Sequence, residues 1–342
     1  MSLGQKTTEK TILLPPKKLF KNNEIADMLI KARVELGELD GYLSSVLNPT
    51  IFSSVFILQS LASSETEEIN TTLTNVFRNQ LLPKDEQDKE SKEVLAYREA
   101  SILAFRNLRK NKISNQMILE IQSNLLPEGL NGYRKDLKQM DDFEKFINQK
   151  NIDIDPLIKS ILAHYQLLAI HPFRDGNGRI ARIVMNLLLV QEGVLAYPIT
   201  YMSGYVYKNK NEYYRKLLGV EMNGKWKEYV IFMLKGFYLQ AKQTKILLSE
   251  IMQSFIKLSE IIKTNNKKIY STELVEALYT YQIISPLKLA HELGIHYTTA
   301  SRYLYELSKA GILSEERFGK YHLFTNKKLL SIVKRESDLF LN

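Results

Sequence analysis

His171-Pro172-Phe173-Arg174-Asp175-Gly176-Asn177-Gly178-Arg179-Ile180-Ala181-Arg182 is the densest run of chemistry in this chain of 342 residues. It opens a largely apolar helix that the pattern carries to Gly193, a residue suited to ending it. A helix apolar on most sides belongs in the centre of a domain. Its N-terminus is glycine-rich. Glycines let backbone N–H groups close around an anion, and the helix end adds a partial positive charge. Arg179 and Arg182 lie three apart, on adjacent turns, so both can reach one phosphate chain. Asp175 stands just before the nest, and Mg²⁺ is held by one or two carboxylates together with the oxygens of a nucleotide. His171 closes the preceding helix, and histidine, with an unperturbed pKa of about 6.5, suits a general base near neutral pH. The cluster points to attack on a nucleotide phosphate.

Working outward, the flanking text is helical. Asp155-Pro156 starts a helix with a capping carboxylate and a proline at its first position, and Leu157, Ile158, Ile161, Leu162, Tyr165 and Leu168 form its apolar stripe. On that helix His164, without a matching cluster, reads as a packed or hydrogen-bonded residue. Upstream, Asn22 or Asn23 caps a run to Val46, and Ile51–Leu61 forms a second. A third is expected from Ser63 and Ser64, carrying Glu65, Glu67 and Glu68, and two more cover 89–110 and 114–126. Turn signals sit at Leu126-Pro127-Glu128-Gly129 and Asn131-Gly132. Downstream, helices are expected over Asn211–Leu218 and Trp226–Leu258.

Composition narrows the chemistry. There is no cysteine, which removes disulfides, a thiol nucleophile and sulfur-based zinc sites. Apolar residues make up 44% and charged residues 25%, the balance of an ordinary globular protein. The net charge of +9 permits a nucleic-acid or phosphate-rich partner without demanding one. No secretory signal or membrane-length apolar run is read, so the cytoplasm is the expected compartment and no membrane partner is expected.

Residues 171–182 resemble the signature of the Fic family, His-Pro-Phe-x-(Asp/Glu)-Gly-Asn-Gly-Arg-x-x-Arg, with every fixed position present. Asp153–Lys159 before it, and Tyr201-Met-Ser through Asn209-Lys-x-x-Tyr213-Tyr214 after it, resemble the same family. The resemblance implies transfer of AMP from ATP to a Ser, Thr or Tyr hydroxyl of a target protein or of the chain itself. It implies His171 as base and Asp175 as the Mg²⁺ ligand. It implies an ATP site formed by Gly176, Asn177, Gly178, Arg179, Ile180, Ala181, Arg182, Asn209 and Tyr214, with Arg182 on the γ-phosphate. Phe173 would anchor the loop in the core. The motif leaves open another nucleotide donor, or removal of AMP.

Ser63-x-x-x-Glu67 resembles the family's inhibitory pattern, (Ser/Thr)-x-x-x-Glu-(Gly/Asn), with Glu68 departing from the last position. The resemblance implies that Glu67 pairs with Arg182 and takes the arginine that should hold the γ-phosphate. The competing reading is a solvated acidic helix. Gly132-Tyr133-Arg134-Lys135 runs almost directly into the next helical text, which leaves little room for the β-hairpin flap that docks targets in many members.

The C-terminal stretch reads separately. A polar Lys263–Lys268 run looks like a hinge. Beyond it, Pro286–Gly294 and His296–Ala310 resemble a helix-turn-helix, and Ile312–Phe324 a two-stranded wing turning at Gly319. Residues 263–342 hold 12 Lys or Arg against 8 Asp or Glu, with Glu315 and Glu316 in the wing, a weak electrostatic case for DNA. The expected architecture is mainly α: a basic tail over 1–20, an N-terminal helical region with the inhibitory helix over 21–113, a Fic catalytic core over 114–262, and a winged helix-turn-helix domain over 263–342. Expected partners are ATP, a hydroxyl-bearing protein, DNA through residues 263–342 and a second copy of the chain. The rival reading is a DNA-binding transcriptional regulator whose Fic core senses nucleotide.

Overall fold

The computed structural model describes residues 19, 21–46, 48–126, 132–134, 138–150 and 153–341. The Pro15-Pro16 break, the turn signals over 127–131 and most of the short flap segment lie outside the described residues.

The N-terminal region is helical. α1 (Asn23–Ser44) starts at Asn22, whose side chain accepts from the amides of Glu24 and Ile25, and buries Ile25, Ala32, Leu36, Leu39 and Leu43. After a 3-10 turn over Pro49–Phe52 comes α2 (Ser53–Thr66). The two helices expected over 51–68 are therefore one. Ser63 and Ser64 do not cap a new helix, because Ser60, Ser63, Ser64, Glu65 and Thr66 are all buried and tertiary packing carries the helix through them. Then follow α3 (Leu73–Asn79), α4 (Lys89–Leu108), α5 (Asn115–Leu125) and α6 (Lys138–Asn148).

α7 (Pro156–Ile170) and α8 (Asn177–Gln191) pack against each other at the centre of this body. Asp155 caps α7 by accepting from the Leu157 amide, and Pro156 occupies the first turn. Nearly every side chain of both helices is buried, and the Ser160 hydroxyl donates to the Met185 carbonyl across them. α9 (Met202–Lys208), α10 (Lys210–Asn223) and α11 (Trp226–Asn265) complete the body, with α1 lying along α11. α11 has 40 residues and runs past Leu258 into the Lys263-Thr264-Asn265 stretch expected to be a hinge. Ile262, fully buried, holds this last turn in place.

The C-terminal unit has α12 (Thr272–Thr280), β1 (Ile283–Ile284), α13 (Pro286–Leu293), α14 (Tyr297–Lys309), β2 (Ser314–Phe318), β3 (Tyr321–Thr325) and α15 (Lys327–Leu341). Gly294 takes a left-handed conformation between α13 and α14. The antiparallel sheet has the order β1-β3-β2, with Ser314 opposite Thr325 and Phe318 opposite Tyr321. Gly319, at φ +56°, makes the wing turn. This is a winged-helix-like extension on a mainly α-helical body.

The wing is docked on the body. Arg78 of α3 forks onto Glu316, Nε to Oε1 at 3.0 Å and Nη2 to Oε2 at 2.6 Å, and lies over the Phe318 ring. Glu86 accepts from Lys320 at 2.7 Å and from the Tyr321 hydroxyl at 2.9 Å. α15 packs against α2, α9 and α11. Among the described residues, no helix is long and apolar enough to cross a membrane.

Candidate active site

The site forms where α7 hands the chain to α8. His171 caps α7 in the left-handed region, φ 51° and ψ 54°, and turns the backbone sharply into the loop. The Asn177 side chain closes that loop on itself: its oxygen accepts from the Phe173 amide at 3.0 Å and its nitrogen donates to the Phe173 carbonyl at 2.9 Å. Phe173 is fully buried and stacks on Tyr133 with centroids 5.2 Å apart, so it is the loop's anchor. Gly176 takes φ +77° at the N-cap of α8, a conformation open to glycine at little cost.

His171 is half-buried. Burial lowers its pKa below the usual 6.5, helped by the Arg134 guanidinium and opposed by the Leu168 carbonyl, Glu67 and Asp175. The imidazole is therefore neutral at pH 7, with one ring nitrogen tied to the Leu168 carbonyl and the other left as an acceptor. Arg134 was not anticipated. Its amide donates to the Pro172 carbonyl at 2.7 Å and its side chain to the Arg174 carbonyl at 3.1 Å, bracing the loop from outside.

The two arginines part company. Arg182 is 1% exposed; its Nε donates to the Ser63 hydroxyl and its Nη2 to the Ser63 carbonyl, both at 2.9 Å, and to Glu67 Oε1 at 2.8 Å. Burial works against its charge, but Glu67, Tyr213 and Tyr97 outweigh that and hold its pKa above the usual value. Arg179 is 2% exposed and reaches elsewhere, to Glu93 Oε2 at 3.2 Å and Asp175 Oδ2 at 3.5 Å. Ile180 and Ala181 are wholly buried, so their side chains belong to the core. Asn209 sits between α9 and α10 and donates to the Tyr205 carbonyl. Tyr214, one residue past the buried Tyr213, feels Glu67, Arg182 and Glu68, and burial raises its pKa.

Glu67 ends α2. Its neighbours form a Schellman motif: the Glu68 amide donates to the Glu65 carbonyl, and the Ile69 amide to the Ser64 carbonyl. Glu68 holds the left-handed position of that motif, φ 69°. This accounts for the Gly or Asn expected there. The reading of a solvated acidic helix fails for Glu65, which is buried, and for Glu67, which is on Arg182.

The cradle fits an anion. A Cβ at Gly178 would collide with the Glu67 carboxylate oxygen and come within 3.3 Å of Arg182 Nη1. A carboxylate thus stands where a phosphate would, over the start of α8 and on Arg182. Mg²⁺ fits more sparely. Asp175 is 62% exposed at its side chain, with Oδ1 accepting from the Gly176 amide. Among the described residues no group of three or more His, Asp or Glu is arranged to hold a metal, so Asp175 would bind the ion together with phosphate oxygens. His164 is a structural histidine. Its ring lies between the hydroxyls of Tyr229 at 2.9 Å and Tyr213 at 3.3 Å, and burial pushes its pKa down to about 3.

The Fic/DOC family N-terminal model matches residues 26–106, the Fic/DOC family model residues 103–189, and the model of the "Protein adenylyltransferase SoFic-like, C-terminal domain" residues 255–329. "Protein adenylyltransferase fic-1" of Caenorhabditis elegans is 40% identical over 58 residues, 17% of this chain and 11% of that protein. "Protein adenylyltransferase Fic" of Drosophila yakuba is 39% identical over 79 residues, 23% of this chain and 15% of that protein. The matches thus span only a small part of these curated relatives. Among solved structures, a Fic family protein from Desulfovibrio desulfuricans G20 covers 92% of this chain and 98% of its own at a TM-score of 0.55 and 19% identity. Fic-1 from C. elegans covers 66% of this chain and 73% of its own at a TM-score of 0.51 and 20% identity. At those identities the likeness is one of fold.

Proposed function

Because the chain belongs to the Fic family, we propose that it is a protein adenylyltransferase held in check by its own Glu67. ATP is the donor. A Ser, Thr or Tyr hydroxyl, of a target protein or of the chain itself, is the acceptor. The observation that carries this reading is the Glu67 carboxylate seated on Arg182 over the start of α8, beside a histidine kept neutral. An anion cradle next to a free base is what phosphoryl chemistry requires.

In the reaction, His171 accepts the proton of the incoming hydroxyl. The oxygen bonds to the α-phosphorus, the bond from that phosphorus to the β-phosphate bridging oxygen breaks, and pyrophosphate leaves. The amides at the start of α8 stabilise charge on the phosphate oxygens. Asp175 would hold Mg²⁺ against the phosphates, where the ion neutralises charge. Arg182 would bind the γ-phosphate once Glu67 has left it. In the state described here the arginine is already engaged, and ATP meets a carboxylate of like charge. Inhibition follows from that competition.

The rival reading, a DNA-binding regulator, has less support. Lys320 and Tyr321 at the tip of the wing are engaged by Glu86, and Glu316 is held by Arg78 of the body. His171 also has no purpose in a nucleotide sensor. The test is incubation with labelled ATP and Mg²⁺. Glu67→Gly should incorporate AMP, seen as label and as the corresponding mass increase, and adding His171→Ala should abolish it. Absence of label in Glu67→Gly would sink the reading, as would label that survives loss of His171.

A further inference from the structure

Glu93 lies on α4, about eighty residues ahead of the loop, and nothing in the loop's pattern points to it. Its carboxylate accepts from Arg179 Nη1 at 3.2 Å. The other prong of the same guanidinium, Nη2, stands 3.5 Å from Asp175 Oδ2. Arg179 is 2% exposed and its Nε has no hydrogen-bond partner. Its position is therefore set by two carboxylates, one on the helical scaffold and one in the loop.

We propose that Glu93 is a positioning residue that holds Arg179 off Asp175, so that the carboxylate stays open to a divalent cation. This rests on the adenylyltransferase reading above. The argument begins with the shape of the fork. A guanidinium is planar and rigid, so fixing one prong fixes the reach of the other. With Nη1 drawn to α4, Nη2 stops at 3.5 Å, an ion pair longer than a good hydrogen bond. Asp175 Oδ1 is already used by the Gly176 amide, which leaves Oδ2 as the oxygen for a metal.

Without the Glu93 charge, two things change together. The buried guanidinium loses its scaffold partner and closes on the nearest carboxylate, Asp175, covering Oδ2. It also becomes an unbalanced cation beside the place where Mg²⁺ must arrive, and like charges at this range repel. Glu93, with 24% of its side chain exposed, is shielded enough for its charge to be felt across the pair. The effect falls on the metal more than on the nucleotide, because the prongs of Arg179 go to Glu93 and Asp175 while Arg182 holds the Glu67 carboxylate over Gly178.

The experiment is calorimetric binding of ATP to the full chain carrying Glu67→Gly, in EDTA and across a Mg²⁺ series. Adding Glu93→Gln should reduce the gain in ATP affinity produced by Mg²⁺ roughly five- to tenfold. Affinity in EDTA should stay within about twofold. Glu93→Asp, which keeps the charge, should recover most of the gain, and it is the variant to read if Glu93→Gln melts markedly earlier. Full Mg²⁺ enhancement in Glu93→Gln overturns the proposal, and so does an equal loss of affinity with and without the ion. A Glu67→Gly parent that binds no ATP removes the adenylyltransferase reading itself and the proposal with it.

Discussion

Arg182 and Glu67 meet at 2.8 Å, with the guanidinium 1% exposed and the carboxylate on the residue that caps the C-terminus of α2. Ser63, one helical turn before Glu67, holds two further donors of the same arginine. The pair is thus a clasp between α2 and α8 as well as the proposed block on the cradle. Glu67→Gly should raise automodification by an order of magnitude or more, measured with labelled ATP, while lowering stability. The cost is roughly 1–3 kcal/mol, below that of a fully buried pair because the Glu67 side chain is a third exposed. A variant both more active and equally stable in urea would show that the clasp contributes nothing to folding.

Glu68 adopts φ 69°, where a side chain is strained by roughly 1–2 kcal/mol. Its own ion pair, to Lys210 at 3.8 Å, is exposed and contributes little. Glu68→Gly should therefore raise the stability of the chain by about 1 kcal/mol. It should also lower basal automodification, since a firmer end to α2 seats Glu67 more often. Urea midpoints and label incorporation check the two halves separately.

As the base proposed above, His171 with its lowered pKa would set the acid limb of the reaction. A base is active when unprotonated, so the rate holds as pH falls to 6.5 and declines below it. Arg134 is one cause of the lowering, after burial. Arg134→Ala should move the limb upward by roughly a few tenths of a pH unit. The backbone bond from residue 134 to Pro172 remains in the variant. The kcat/KM profile in the Glu67→Gly background reads the shift; a limb that stays fixed, or moves down, would remove Arg134 from the electrostatics of the base.

His164 predicts an acid-sensitive core. Its folded pKa, about 3, lies below the unfolded value of 6.5, so the native state binds fewer protons between them. The stabilisation is complete above 6.5 and is lost as pH falls toward 3. Glu65 acts in the opposite sense. Burial raises it from 4.5 to about 7, so its contribution is complete below 4.5 and lost as pH rises to 7. Between 4.5 and 6.5 the two slopes oppose. His164→Gln removes one of them, and its urea midpoint relative to the parent chain should improve steadily on acidification. A constant difference between the two chains would contradict the buried neutral imidazole.

The caps were legible because they are local. Asn22, Asp155-Pro156, Gly193, Gly294 and Gly319 each announce a helix end or a turn by their own conformational preference, and each sits at one. The candidate site's loop, residues 171–182, was legible because its parts are contiguous. What lay beyond the sequence was tertiary. Ser63 and Ser64 look like a helix start, and only burial against the body makes α2 continuous through them. Glu93 and Arg134 reach the site from other elements, and no spacing rule links them to residues 171–182. Arg179 and Arg182 share a helix face in the pattern, yet partners on α4 and α2 draw them apart.

α11 has one further consequence. Its 40 residues make a rod of about 60 Å. α1 and α15 both meet it near its middle, where Lys245 pairs with Glu38 and Gln243 donates to Glu336, and α12 meets it further along, where the Tyr279 hydroxyl donates to Ser254. Where a polar linker would let the two lobes swing independently, an unbroken rod makes them mechanical extensions of each other. A tilt of about 5° at the C-terminal lobe becomes a displacement of about 5 Å at the far end of such a lever. Whatever pulls on the wing therefore pulls on the body to which this rod and the Arg78–Glu316 pair join it.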